Sequence, residues 1–323
     1  MKRTWIRRLT FIGLACIYLY VSTALWLFQG PFSALRTYFI DSLATTRHGY
    51  LLRPLSLYTV SNQEIAKASP HLATSSTPGT TQVRDFRSVA DASIQVIPYQ
   101  GSTFGGYVML IHDPKRLKVG ITKYVGTAGE TVTEMARDVH AVAGVNGGAF
   151  DDANWRGTGG LPLGITMHSG KLLQNDPNKW GSQPVIGITA YGELVAGSYN
   201  LAQLKALNVT EAVSFGPVIV QDGVGLVQGI GSWGYAPRTA IGQRKDGTII
   251  LIVTDGRFIH GANDLGASLK DIQDLMLQYG AVTAANLDGG SSSTMYYNGK
   301  LVNEPTDVLG ERKVATAFLV MPE

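Results

Sequence analysis

The sequence predicts an α+β fold: a mixed β-sheet core with a few helices, one of them in a βαβ unit, preceded by a single N-terminal transmembrane helix. Three observations carry this reading. A basic N-terminus is followed by the uncharged run LTFIGLACIYLYVSTALWLF, Leu9 to Phe28. From residue 86 onward, short apolar runs alternate with glycine-containing turns, the pattern of many short strands. Near the C-terminus an apolar run, a stretch of helical period and a second apolar run follow one another, which reads as strand, helix, strand.

The N-terminus comes first. An apolar run of ~20 residues is long enough to span a bilayer as a helix. Lys2, Arg3, Arg7 and Arg8 precede it, which predicts a cytoplasmic N-terminus and an exported C-terminal body. The rival reading is a cleaved signal peptide with its small-residue site at Ser22-Thr23-Ala24. Leu25, Trp26, Leu27 and Phe28 prolong the apolar run past that site and favour an uncleaved anchor. The domain division is therefore a cytoplasmic stub over 1–8, an anchor over 9–28, a stalk and linker over 29–85, and a folded domain over 86–323. Within the stalk, residues 29–66 show weak helical periodicity, and ASPHLATSSTPGTTQ (Ala68 to Gln82) has linker composition.

Charge and cysteine usage narrow the function. The net charge of +3, less the four positives of the stub, leaves −1 for the rest of the chain. A body so near neutrality is no electrostatic trap for nucleic acid. Cys16, inside the anchor, is the only cysteine, so the exported part has neither disulfide nor thiol chemistry. That usage fits a bacterial, Gram-positive cell surface.

Within the domain, SIQVIPY, GYVMLIHD and LKVGITKY read as strands. TVTEMARDVH reads as a short helix in which Thr131 and Glu134 have capping-box spacing. AVAGVNGGAFDD is a small-residue strand ending at Asn146-Gly147-Gly148. RTAIGQRKDGTIILIVTDGR is a hairpin turning at Lys245-Asp246-Gly247. Pairing Arg244 with Thr248 sets Arg238 opposite Thr254, so that the arginine meets Asp255. Ser268 caps a helix with Leu269, Ile272, Leu275 and Met276 on one stripe, and Gly280 closes it. The strand AVTAANLD follows, to Asp288. Parallel strands joined this way end at one sheet edge, where α/β folds bind ligands. Asp255-Gly256 and Asp288-Gly289 both lie there. One Asp-Gly after a strand is commonly only a turn; two at one edge, with Arg238 beside them, make a candidate reaction site.

The stretch NLDGGSSSTMYYNG then reads as the floor of that site. Gly289 and Gly290 clear space, Ser291, Ser292 and Ser293 offer donors to phosphate oxygens, and Asn298-Gly299 turns a hairpin. No G-x-S-x-G elbow surrounds the serines. Metal ligation stays open. Asn146, Asp151 and Asp152 could hold a divalent cation, but they follow no recognised Ca²⁺ spacing, and no cofactor is required. His112, His140, His168 and His260 fall in no H-x-x-x-H pattern; His260 is of interest only because it follows Asp255 closely.

Five segments occur in one order: GVNGGAF, APRTAIG, VTDGR, NLDGGSSSTM and ERKVATAF. Together, over about residues 90 to 321, they resemble the phosphodiester glycosidase family, whose animal members remove N-acetylglucosamine from a phosphodiester. Ala149 departs from it, since many relatives carry an aromatic there. The resemblance, which leaves the anchor and stalk out, implies a hydrolase that cleaves the glycosyl C1–O bond of a sugar-1-phosphodiester, and a link to exopolysaccharide or cell-wall metabolism; the N-terminal anchor would hold that hydrolase outside the membrane. Under it Asp288 is the first candidate for the carboxylate on the sugar side and Asp255 the second. Arg238 and Arg312 are candidates for the phosphate, Asn146 for the sugar or water, and Gly147 and Gly148 for close backbone approach. Two other readings remain: a metal-dependent phosphodiesterase cutting P–O, and a non-catalytic glycopolymer-binding or assembly protein.

Overall fold

The computed structural model describes residues 2–44, 51–68, 83–151, 158–175, 181–227, 233–261, 263–307 and 310–323. Nearly all of the linker, and Asp152, lie outside them. Helix α1 (Lys2–Gln29) contains a segment, Trp5–Gln29, long and apolar enough to cross a membrane. Residues after it are more ordered than their weak periodicity suggests. Helices α2 (Ser33–Ala44), α3 (Leu52–Leu55) and α4 (Asn62–Ala68) fold back on the end of α1. Phe28, Ile40, Leu52, Val60 and Ile65 form a small core there. Glu64 pins it: its carboxylate accepts the Ser61 N–H at 2.9 Å and the Arg36 guanidinium at 2.6 Å. The Ser61 N–H, then Arg36, hold the Glu64 carboxyl at about 2.

The rest of the chain forms three sheets. The first has seven strands in the order β1 (Ile94–Gln100), β2 (Gly105–Ile111), β13 (Ile249–Thr254), β12 (Thr239–Arg244), β14 (Ala281–Asn286), β10 (Val218–Gln221), β11 (Val224–Gly225). The second runs β16 (Lys300–Leu301), β15 (Met295–Tyr297), β4 (Ala143–Asn146), β17 (Thr316–Val320), β3 (Leu117–Ile121). The third runs β6 (Lys171–Gln174), β5 (Thr166–His168), β9 (Val209–Val213), β7 (Gln183–Thr189), β8 (Leu194–Tyr199). Three further helices, α5 (Val132–Asp138), α6 (Leu201–Ala206) and α7 (Leu269–Gln278), complete an α+β architecture.

The hairpin has the register read from the sequence. Thr239 pairs with Val253 and Gln243 with Ile249, and Arg238 exchanges backbone contact with Thr254. The βαβ unit differs in one respect. All ladders among the described residues are antiparallel, and β12 lies between β13 and β14. Both edges of β13 are already taken, by β12 and by β2. The strand after α7 can therefore join only beyond β12, and the unit is a split one. Because β13 and β14 both oppose β12, they still run in the same direction and end at the same edge.

Burial explains the layers. Strand β13 is buried along its whole length. Ile249, Leu251 and Val253 face a core shared with Val119 and Phe318 of the second sheet and Ile186 of the third. Ile250 and Ile252 face the other way, onto Ile272 and Met276 of α7. A strand enclosed on both faces gains from every side chain, roughly 2 kcal/mol for each one fully buried. That is why IILIVT shows no polar alternation. The helix starts at the predicted Ser268, whose hydroxyl accepts the Asp271 N–H while Asp271 accepts the Ser268 N–H at 2.8 Å. It ends at Gly280, where φ is +81°.

Replacing Ser268 by Ala removes this reciprocal cap. The expected result is a loss of about 1 kcal/mol in chemical denaturation.

Candidate active site

Strand β12 runs against β13 and β14, so its first residues lie where those two end. Strand β4 of the second sheet ends at the same place. The Leu287 N–H donates to the Thr239 carbonyl at 2.8 Å, and the Asp288 N–H to the Gly147 carbonyl at 3.2 Å. Between them sits the Asn146 amide, fully buried. Its nitrogen donates to the Asp288 carbonyl at 2.7 Å. Its oxygen accepts the Thr239 hydroxyl at 2.7 Å and the Thr294 N–H at 3.1 Å. Asn146 thus positions Asp288, and its amide faces protein on each of these contacts rather than a sugar. Gly147 permits the approach: a Cβ there would lie 2.6 Å from the Thr316 hydroxyl. The Gly148 N–H donates to that hydroxyl at 3.0 Å.

Arg238 stands in the predicted register. Its guanidinium donates to the carbonyls of Trp233 and Gly234, both at 2.8 Å, and of Ala267 at 3.1 Å. It braces the loop before β12 and the entry to α7. Asp255, nearly buried, is held by other groups. Its carboxylate accepts from the Asn303 amide at 3.1 Å and the Glu304 N–H at 3.2 Å, and faces the His260 Nε2 at 3.4 Å. Burial raises the Asp255 carboxyl above the usual carboxylate range, and the Asn303 and His260 contacts offset part of the rise. Asn303 also donates to the Ser293 carbonyl and accepts the Met295 N–H. It thereby ties Asp255 to the loop that begins at Asp288. Nothing in the local sequence marks Asn303, whose partners lie in two separate segments, at Asp255 and at Ser293 to Met295.

That loop makes a single 3₁₀ turn, Gly290–Ser292. Gly289 donates its N–H to the Asp288 carboxylate at 3.0 Å, and Gly290, at φ +63°, donates to the Pro237 carbonyl at 2.8 Å. The Ser291 hydroxyl accepts from Arg312 at 3.0 Å. The hydroxyls of Ser292, Ser293 and Thr294 are buried without a protein partner among the described residues. Arg312 also lies over the Phe150 ring, 4.9 Å from its centroid.

A second arginine joins this side of the loop. Arg257 follows Asp255-Gly256 directly and is half-buried. It and Phe258 have left-handed backbones, φ +58° and +66°, a strained arrangement that clusters at functional sites. Burial lowers the Arg257 guanidinium to about 10; Arg312 adds to the lowering, and Tyr38 and Asp307 oppose it. The signal for Arg257 was in VTDGR, immediately beside the aspartate.

One carboxylate at a strand end, two arginines and a run of hydroxyls can hold a phosphodiester with its sugar toward Asp288. Among the described residues no group of three or more His, Cys, Asp or Glu converges as a metal site.

Truncating Asn146 to Ala leaves the Thr239 hydroxyl, the Thr294 N–H and the Asp288 carbonyl without their partner. The expected stability loss is roughly 3 kcal/mol by chemical denaturation, with turnover falling because Asp288 is no longer held.

The phosphodiester glycosidase family model matches residues 140–321 of the chain. A Bacillus subtilis prophage-derived protein, YomE, is 27% identical over 212 residues, which cover 62% of this chain and 31% of that protein. Mouse N-acetylglucosamine-1-phosphodiester alpha-N-acetylglucosaminidase is 25% identical over 233 residues, 65% of this chain and 43% of the mouse protein. The chain thus spans less than half the length of these relatives. Among solved structures, the catalytic domain of the zebrafish N-acetylglucosamine-1-phosphodiester alpha-N-acetylglucosaminidase, auto-inhibited by its pro-peptide, superposes with a TM-score of 0.60 at 22% identity. That alignment covers 76% of this chain and 89% of the zebrafish one, and establishes a shared fold.

Proposed function

The chain belongs to the phosphodiester glycosidase family, and from that premise we propose that it hydrolyses the glycosyl C1–O bond of a sugar-1-phosphodiester in an envelope glycoconjugate. The mouse relative carries such an activity in its name. The observation that carries the reading here is the Asp288 strand end. Asn146 and Gly147 hold its backbone from both sides, at 2.7 and 3.2 Å, and Ser291 with Arg312 lies three residues further on.

Cleavage at C1–O expels a phosphomonoester, which is already a stable anion, so strong general-acid catalysis is unnecessary. What develops is positive charge on the sugar ring and negative charge on phosphate. Asp288 faces the first, as nucleophile or as base for water. Arg312 and Arg257 take up the second, since a planar guanidinium matches the geometry of phosphate oxygens. Asp255 is the second carboxylate, and its partners hold it toward the same loop. Arg238 supports the site from below through the Trp233, Gly234 and Ala267 carbonyls.

Helix α1 is taken as the anchor. The four basic residues before its apolar run support a cytoplasmic N-terminus with the hydrolase outside, on a Gram-positive surface. Envelope glycopolymers carrying phosphodiester-linked sugars would be reached from there.

Replacing Asp288 by Asn keeps the shape of the side chain and removes its charge. The expected outcome is an intact thermal transition and a loss of at least a thousandfold in free-sugar release; near-normal release from that folded variant would refute the assignment. Replacing Arg312 by Ala should lower kcat by roughly a hundredfold, the usual scale for one lost donor to a developing anion.

Asp255 gives a pH prediction. Its folded pKa is raised, so the folded state holds this proton more tightly than the unfolded chain does. The associated stability is present at acid pH and lost as pH rises from about 4 through the folded pKa. The Asp255→Asn variant lacks that loss. Its stability relative to the parent should therefore rise with pH across that window in parallel thermal melts. A constant difference between the two proteins would contradict the assignment.

A further inference from the structure

We propose that the alcohol half of the substrate phosphodiester is a membrane lipid, whose chain lies in an apolar groove between α1, α2 and the Arg257–Phe258 turn while its phosphate meets Arg257 and Arg312. The proposal rests on the glycosidase reading for the fate of the sugar, but the groove stands on separate observations. It is a cavity of about 630 Å³, lined by Tyr20, Ala24 and Leu27 of α1, Phe39 and Leu43 of α2, and the Arg257–Phe258 turn. The Tyr38 and Phe258 rings meet edge to face at 5.8 Å, which joins the helical cap to the turn.

Three features point to a lipid. First, one wall is the C-terminal half of the helix that is apolar enough to cross a membrane. The groove follows that helix from Leu19 to Phe28, along the face that the apolar segment turns toward α2. Second, the lining suits a hydrocarbon chain that carries a phosphate: it is mostly aliphatic and aromatic, and Arg257 is its one guanidinium among the described residues. A hydroxylated sugar alcohol in the same place would leave its hydroxyls unpaired against Leu27, Phe39 and Phe258. Third, the charged end adjoins the candidate active site. Arg257 stands two residues after Asp255, and Asn303 ties Asp255 to the Ser293 carbonyl of the loop that begins at Asp288. A phosphate on Arg257 then has its sugar on the Asp288 side and its alcohol on the groove side.

The reaction balances without any further reactant. Water adds its oxygen to the sugar C1 as the C1–O bond to phosphate breaks. The proton taken up by Asp288 passes to the departing phosphate or to solvent. The products are free sugar and a lipid monophosphate that stays in the bilayer.

The test uses the full chain in vesicles of phosphatidylglycerol and phosphatidylethanolamine. Two phosphodiesters with the same sugar are compared, one of methanol and one of a long-chain isoprenoid alcohol. Free sugar should be released from both, with kcat/KM at least tenfold higher for the long-chain compound. That ratio should fall toward one in Phe39→Glu and in the milder Leu27→Asn. A ratio near one in the parent protein, or an unchanged ratio in both variants, overturns the proposal and leaves the glycosidase reading standing. Release of sugar from neither compound counts against the glycosidase reading instead, and photolabelling then decides the groove. A diazirine-bearing long-chain alkyl phosphate should label α2 or the Arg257–Phe258 turn saturably, and Arg257→Ala should abolish that labelling. Labelling that is unsaturable and indifferent to Arg257→Ala overturns the proposal.

Discussion

One buried amide sets the geometry on which the rest of this site depends. The three sheets meet through apolar packing, which is strong but has no direction. At the edge where β4, β12, β13 and β14 end, direction comes from hydrogen bonds. Asn146 bonds to the Asp288 carbonyl, the Thr239 hydroxyl and the Thr294 N–H, all within 2.7–3.1 Å. Its partners come from three chain segments in two sheets. A residue lost here would free the strand ends to shift relative to one another while leaving the hydrophobic core filled. Asp288 would then keep its identity and lose its place.

Much of this was legible in the sequence, because it is local. Capping boxes at Thr131 and Ser268, the Asn298-Gly299 turn and the Lys245-Asp246-Gly247 hairpin each follow from residues within a few positions of one another. Counting outward from that turn gave the pairing of Arg238 with Thr254. What failed is non-local. The position of β14 beyond β12 depends on β2 having claimed the other edge of β13, and β2 lies about 140 residues earlier in the chain. Register fixed where the Arg238 backbone lies, while the bonds of its guanidinium to the carbonyls of Trp233, Gly234 and Ala267 could not be read from local sequence. The same holds for the Asn146 tie, whose partners are set by sheet packing.

The membrane-proximal segment shows the same limit. Residues 29–66 show only a weak helical period, yet Ile40, Leu52, Val60 and Ile65 close a core with Phe28 of α1. Once closed, that cap brings Tyr38 to Phe258 and so reaches the strained turn that carries Arg257. Two left-handed residues in succession cost of order 1–3 kcal/mol each. The turn they make sets one guanidinium between the candidate phosphate site and the apolar groove. The candidate active site and the candidate membrane helix are thus linked through a single loop.

The central claim is that the glycosyl C1–O bond, not a P–O bond, is broken at Asp288. Hydrolysis of a sugar-1-phosphodiester in ¹⁸O-enriched water tests it directly, with mass analysis of both products. The account predicts the label on the sugar at C1 and none on the phosphomonoester. Label in the phosphate, with unlabelled sugar or sugar phosphate released, would contradict it.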